Sequence, residues 1–283
     1  MAAVKLPPPE LVTPAWLSDN LARVVVLDAS WHMPDSGRDA ATEFENAHIP
    51  GAQRFDIDEV ADEANPLPHT MPSPDAFAAA AGALGISNES VVVYEAGAPL
   101  AAPRAVWMFR AMGHDAKLLD GGLARWRSEG FETESGPARP RKAAVFLPQP
   151  LPLFVDADAV AKALSDGGTV VDVRSPERFA GTAPEPREGV RAGHMPGAKN
   201  LHYAQLINEN GRLKDDAAIA AMIDKAGISR DRPVITTCGS GVTAAILAIA
   251  LSRQGVDAKV YDGSWTEWGG DPARPLVTGK ERP

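Results

Sequence analysis

The 283-residue chain has a single cysteine, Cys238, no apolar run long enough to cross a bilayer, and no excess of positive charge. Each shortage excludes something. One cysteine forms no intramolecular disulfide and supplies no multi-cysteine metal site. A bilayer needs about 20 consecutive, mostly apolar residues, and no stretch approaches that. The N-terminal MAAVKLPPPELVTPAW lacks the apolar centre of a secretory signal, so the expected location is the cytoplasm, with no membrane partner. Lys plus Arg number 28 against 37 Asp plus Glu, a net charge of −9. The broad basic face that nucleic-acid binding needs is therefore not expected. What remains is an ordinary globular composition, 45% hydrophobic and 23% charged. It contains one thiol, and the default role of a lone thiol is that of a small buried hydrophobe.

What is there is a repeat. FENAHIPGA (44–52) and VRAGHMPGA (190–198) share H-x-P-G-A. Apolar runs ending in Asp precede them, VVVLDAS (24–30) and TVVDVRS (169–175). A second pair follows, VVVYEAGA (91–98) and PVITTCGS (233–240), and each half closes with KLLDGGLARW (117–126) or KVYDGSWTEW (259–268). The order is the same in both halves. Between the halves, GPARPRKAAVFLPQPLP (136–152) holds five prolines, which favour extended chain. The expected organisation is a domain over 1–135, a proline-rich linker over 136–152 long enough to wrap one domain against the other, and a second domain over 153–283.

Within each half, Val- and Ile-rich runs alternate with helical stretches such as PSPDAFAAAAGALG (72–85) and VTAAILAIALSRQG (242–255). Continuous apolar strands separated by helices predict an α/β fold, with a mostly parallel sheet covered on both faces.

Cys238 sits in DRPVITTCGSGVTAAILAIALSRQG (231–255). A strand end, a Gly-rich turn and a helix beginning near Val242 place it at the carboxyl edge of a parallel sheet, where open α/β folds bind ligands. Backbone amides and the helix dipole at such a turn favour an anion and activate a thiol. A buried structural cysteine would not need Gly239 and Gly241 beside it. Cys238 is therefore read as reactive. A phosphatase loop, C-x5-R, is disfavoured because Ala244 stands where the Arg would be. An acyl-transfer Cys–His pair stays open but has no local signature.

The loop CGSGVTA (238–244) resembles the active loop of the mercaptopyruvate-using branch of the rhodanese family. F-x3-H-I-P-G-A from Phe44 to Ala52 and A-x2-Y-D-G-S-W-T-E-W over 258–268 resemble the family's two signatures. DASWHMP (28–34) and EPREG (185–189) also match this branch, and the likeness covers nearly the whole chain. It implies two tandem rhodanese-like domains, each a mostly parallel sheet flanked by helices, the first non-catalytic and the second catalytic. Aligning Asp120 with Asp262 sets Ala96 opposite Cys238, so the first copy has no nucleophile.

The resemblance implies that Cys238 accepts sulfur as a persulfide and passes it to a thiol acceptor such as thioredoxin, a small thiol or cyanide. The loop residues Gly239, Gly241, Val242 and Thr243 would surround that sulfur. Thiosulfate-using rhodaneses carry basic residues directly after the cysteine, whereas Gly239 and Ser240 are neutral. A dianionic donor is thereby disfavoured and a monocarboxylate favoured. Arg178 and Arg187, in a Gly/Pro-rich loop, match the family's substrate-binding arginines and suit a carboxylate. Ser240 either caps the following helix or works with His69 and Asp58 of the first domain in a proton relay. His48 and His194 recur in both copies and are read as structural. Neither metal nor organic cofactor is implied. The alternatives are a thiosulfate sulfurtransferase and a non-enzymatic sulfur carrier or interaction module.

Overall fold

Five-residue strands, apolar except for a polar residue at one end, build the centre of the first sheet. β2 (Val24–Asp28) is buried along its whole length, and β4 (Ser90–Tyr94) is buried at all but its first residue. A strand of this kind must be covered on both faces, which only a parallel sheet with helices on each side provides. A computed structural model of the chain describes residues 7–33 and 36–279. Pro34, the end of the DASWHMP motif, and the first six residues of the N-terminal stretch lie outside the described residues.

The first sheet adds β1 (Leu11–Val12), β3 (Gln53–Arg54) and β5 (Ala116–Leu119), and its spatial order is β1-β5-β4-β2-β3. The second consists of β6 (Phe154–Val155), β7 (Thr169–Asp172), β8 (Lys199–Asn200), β9 (Val234–Thr237) and β10 (Ala258–Tyr261), in the matching order β6-β10-β9-β7-β8. Every strand pair is parallel. The helices of the first half are α1 (Pro14–Asn20), α2 (Ala40–Asn46), α3 (Pro74–Ala83), α4 (Ala102–Ala111) and α5 (Gly122–Ser128). Those of the second are α6 (Ala157–Ser165), α7 (Pro176–Ala180), α8 (Asp216–Lys225), α9 (Ala244–Arg253) and α10 (Ser264–Gly270). No helix among the described residues is long and apolar enough to cross a membrane.

The chain forms two compact units. The first contains the described residues up to Asp62, Met71–Leu151 and Glu209–Leu213. The second contains Glu63–Thr70, Pro152–Asn208 and the chain from Lys214 onward. The proline-rich stretch carries no regular element and packs on the first unit up to Leu151. Ala144 N–H donates to Gly82 O at 2.9 Å and Gln149 N–H to Met112 O at 2.8 Å. Phe146 is buried, with edge contacts to Phe77 and Phe109. Gly82 is required there, because a Cβ would lie 2.6 Å from the Ala144 carbonyl.

The two copies reuse the same contacts. Phe44 stacks on His48 and Phe179 on His194, with centroids 4.0 and 3.7 Å apart. Each histidine Nδ1 lies 2.8 Å from the carbonyl of its own phenylalanine. Both histidines are buried and hold the turn after α2 or α7 against the last extended segment of their copy.

Candidate active site

β9 ends at Thr237, the loop Cys238–Thr243 follows, and α9 begins at Ala244. The helix starts two residues later than the sequence suggests, because Val242 and Thr243 form a turn. Its N-cap is Thr243, with no side-chain cap, so Ser240 is not the helix cap. Gly241 takes φ +77°, a conformation that favours glycine and turns the chain into the helix. Cys238 is 2% exposed at the carboxyl edge of the sheet. Among the described hydrogen bonds, the amides of Val242, Thr243 and Ala244 have no acceptor. Three adjacent N–H groups at a helix start form a concavity suited to an anion.

The neighbours of the loop come from α10, α7 and the segment after it. Cys238 N–H donates to Ser264 Oγ at 3.2 Å, and Ser264 Oγ donates to Tyr261 O at 2.8 Å. Ser264 is fully buried at φ +50°, a strained position for a side chain. Trp265 N–H donates to Cys238 O at 3.0 Å. The Thr266 N–H and hydroxyl both donate to Gly239 O, at 2.9 and 2.6 Å. Sequence reasoning missed Ser264 and Thr266 as neighbours of the cysteine, although their motif was noted.

Arg178 lies in α7, not in a loop, and its guanidinium lies over Gly239. A Cβ on Gly239 would stand 3.1 Å from Nη2, so bare backbone at this position makes room for the cation. Arg178 pairs with Glu185 through Nη2–Oε2 at 2.5 Å and Nε–Oε1 at 3.3 Å. Glu185 also takes Arg174 Nη1 at 2.7 Å. Arg174 is itself buried, paired with Asp172 at 2.6 Å, with its guanidinium 4.3 Å from the Trp265 ring centroid. Arg174 and Glu185 were not foreseen as supports of Arg178. Arg187 is half-buried and donates through Nη1 to Thr266 Oγ1 at 3.4 Å. The structure thus brings Cys238, Gly239, Arg178 and Arg187 together through α7 and α10.

The relay candidates fall on both units. Asp58 lies in the first, where its Oδ2 accepts from Trp31 Nε1 at 2.9 Å. His69 lies in Glu63–Thr70, a segment of the first half of the chain that groups with the second compact unit. It is buried at φ +61°. Ser240 is half-buried in the loop.

The counterpart of Cys238 also changes. Strand register pairs Asp28 with Tyr94 in the first sheet and Asp172 with Thr237 in the second. The residue after Tyr94 is Glu95, and Leu123 N–H donates to its carbonyl at 3.0 Å, as Trp265 does to Cys238. Glu95, not Ala96, therefore occupies the cysteine position. The one-residue error arose because six residues, 96–101, separate Glu95 from α4, against five, 239–243, between Cys238 and α9. The Glu95 carboxyl fills its own loop. Its Oε1 accepts from Leu100 N–H at 2.6 Å and Ala102 N–H at 3.1 Å, and Oε2 from Ala101 N–H at 3.4 Å. Burial pushes its pKa up to about 8, against the lowering effect of those amides.

Comparison with known proteins matches the rhodanese-like domain to residues 13–129 and 156–271. The chain is 40% identical over 271 residues to the 3-mercaptopyruvate sulfurtransferase of Homo sapiens, covering 91% of each. It is also 40% identical to thiosulfate/3-mercaptopyruvate sulfurtransferase 1, mitochondrial, of Arabidopsis thaliana, over 94% of this chain and 77% of the plant protein. Among solved structures, SseA from Escherichia coli, a 3-mercaptopyruvate sulfotransferase, superposes with a TM-score of 0.82 at 35% identity, covering 91% of this chain and 99% of that one.

Proposed function

The chain belongs to the rhodanese family, and from that premise we propose that it is a 3-mercaptopyruvate sulfurtransferase acting through a persulfide on Cys238. One observation carries this reading beyond likeness. Among the described hydrogen bonds, the amides of Val242, Thr243 and Ala244, in the loop that carries the buried Cys238, have no acceptor, and the matching amides of the first copy hold two carboxyl oxygens. A loop whose twin turns the same amides onto a carboxyl group has the donors to hold the terminal sulfur of a persulfide by preorganised hydrogen bonds.

In this reaction the Cys238 thiolate attacks the sulfur of the donor. The S–S bond forms as the donor's C–S bond breaks, and the electron pair passes to the enolate of pyruvate, which then takes a proton. A second thiol, such as that of thioredoxin, attacks the outer sulfur and frees Cys238. The scheme is a double displacement. Because the chain has no second cysteine, the discharging thiol comes from outside, which suits the thiol-rich cytoplasm. The donor's carboxylate is assigned to Arg187 and Arg178. His69 and Asp58, with Ser240, are the groups proposed to take the donor's thiol proton and return one to the enolate. Support for His69 is its strained, buried position in the unit that carries Cys238. In this reading the domain over 1–135 is non-catalytic, 136–152 is a linker, and the domain over 153–283 is catalytic.

Thiosulfate is the second reading, since the plant relative's name includes it. Against it, the residues after Cys238 are neutral and half of the nearby cationic charge, that of Arg178, is matched by Glu185. The test is a mass spectrum of the intact protein after 3-mercaptopyruvate. A gain of about 32 Da on Cys238, removed by a thiol, is expected. No gain, or faster turnover with thiosulfate, overturns the assignment.

A further inference from the structure

The two arginines of the site are held in different ways. Arg178 is neutralised in place by Glu185, a carboxylate only 3% exposed. For Arg187, the only described side-chain partner is the neutral Thr266 hydroxyl, at 3.4 Å. A neutral acceptor orients a guanidinium without cancelling its charge. The same hydroxyl donates to Gly239 O at 2.6 Å, and the Thr266 N–H reaches that carbonyl at 2.9 Å. Thr266 therefore joins the cation to the backbone of the residue after Cys238. The first copy cannot do this, because Ala124 occupies the matching place, two residues after Gly122.

We infer that Thr266 is a positioning residue: its hydroxyl aims Arg187 at the carboxylate of the sulfur donor and sets that cation's distance from the Cys238 loop. The inference rests on the proposed assignment of Arg187 to a carboxylate donor. It goes further in making the affinity for that carboxylate depend on a side chain that touches neither the donor nor the thiol. A methyl group in place of the hydroxyl leaves the Thr266 N–H to Gly239 O bond intact, so the loop keeps its shape while Arg187 loses its anchor.

The experiment compares Thr266→Val and Thr266→Ser in the full chain, alone and with Arg187→Ala. Two readouts are used: steady-state kinetics with 3-mercaptopyruvate and a fixed thiol acceptor, and calorimetric binding of pyruvate to the Cys238→Ser chain. Thr266→Val is expected to raise KM about fivefold to tenfold, with kcat changed less than about twofold. Pyruvate affinity should fall by a similar factor. Thr266→Ser should restore both, and Thr266→Val should add little once Arg187 is Ala, as expected of residues acting through one contact. An unchanged KM and unchanged pyruvate affinity would overturn the inference, as would full additivity with Arg187→Ala or a loss that serine does not rescue. If the wild-type chain forms no persulfide from 3-mercaptopyruvate, the donor assignment fails on its own. Thr266 is then judged by pyruvate binding alone, and failure of pyruvate to bind overturns its role too.

Discussion

Two loops at matching places in two copies of one fold have opposite contents. In the second copy the amides at the start of α9 have no acceptor among the described hydrogen bonds, and the same loop carries a thiol. In the first, the loop is one residue longer and Glu95 folds its own carboxyl into the equivalent amides. The surroundings differ in step. Gly122, at φ +55°, takes the place of Ser264, and a Cβ there would collide with the Glu95 carbonyl. Glu43, before Phe44, takes the place of Arg178, before Phe179. The difference teaches that both copies of the fold present the same backbone amides at this turn, because the turn follows from strand-to-helix geometry. Reactivity depends on the few side chains grafted onto it.

The comparison can be broken most directly at the nucleophile. Cys238→Ser should lower sulfur transfer by about a thousandfold or more and remove the persulfide mass shift. Adding Glu95→Cys to that variant should not restore the shift, because the first loop has a different length and lacks Arg178 and Arg187 counterparts. A persulfide on residue 95 would show instead that the turn alone suffices. Arg187→Ala comes next. Losing a charge-assisted contact to a carboxylate should cost about tenfold to a hundredfold in kcat/KM with 3-mercaptopyruvate, and unchanged kinetics would remove Arg187 from the site.

Glu95 gives a test on stability. Its carboxyl is raised from 4.5 to about 8 in the fold, so between those values the folded chain binds more protons than the unfolded one. Stability contributed by this group is therefore present at low pH and is lost as pH rises toward 8. Glu95→Gln cannot ionise, so its stability relative to wild type should rise between pH 5 and pH 8.5, by about 4 kcal/mol. Urea melts at the two pH values measure this, and a constant difference would mean Glu95 is ionised throughout. The smallest effect is expected for Ser264→Gly, which copies Gly122 into the second loop. It relieves the positive-φ strain but loses the hydroxyl bridge between Cys238 N–H and Tyr261 O. Stability should change by less than about 1 kcal/mol while turnover falls about threefold to tenfold. Unchanged turnover would show that the bridge does not hold the thiol in place.

Much of this was legible in the chain. The long apolar strands β2, β4, β7 and β9, the helices α3, α4, α8 and α9, and the strand–turn–helix around Cys238 follow from local patterns. The edge strands β1, β3, β6 and β8 did not, because two residues carry no periodicity and become strands only by pairing with a neighbour. Short α7 likewise read as loop, since five residues flanked by Pro176 and Gly181 resemble a turn. Ser264 and Thr266 are 26 and 28 residues from Cys238 and meet its loop, at Cys238 and Gly239, only because β9 and β10 are adjacent in the sheet. A closer look at where the two copies differ, Gly122 against Ser264 and Ala124 against Thr266, would have pointed to both.

The sequence by itself determined the duplication, the α/β alternation and the lone thiol at a sheet edge. These are properties of residue type and order. Only the tertiary structure decided that Glu95 is the counterpart of Cys238, since register is set by hydrogen bonding between strands and a one-residue insertion in a loop is invisible to motif spacing. It alone separated Arg178, matched by Glu185, from Arg187, whose one described side-chain partner is neutral, because the pairing of charges depends on which distant side chains the fold brings within reach.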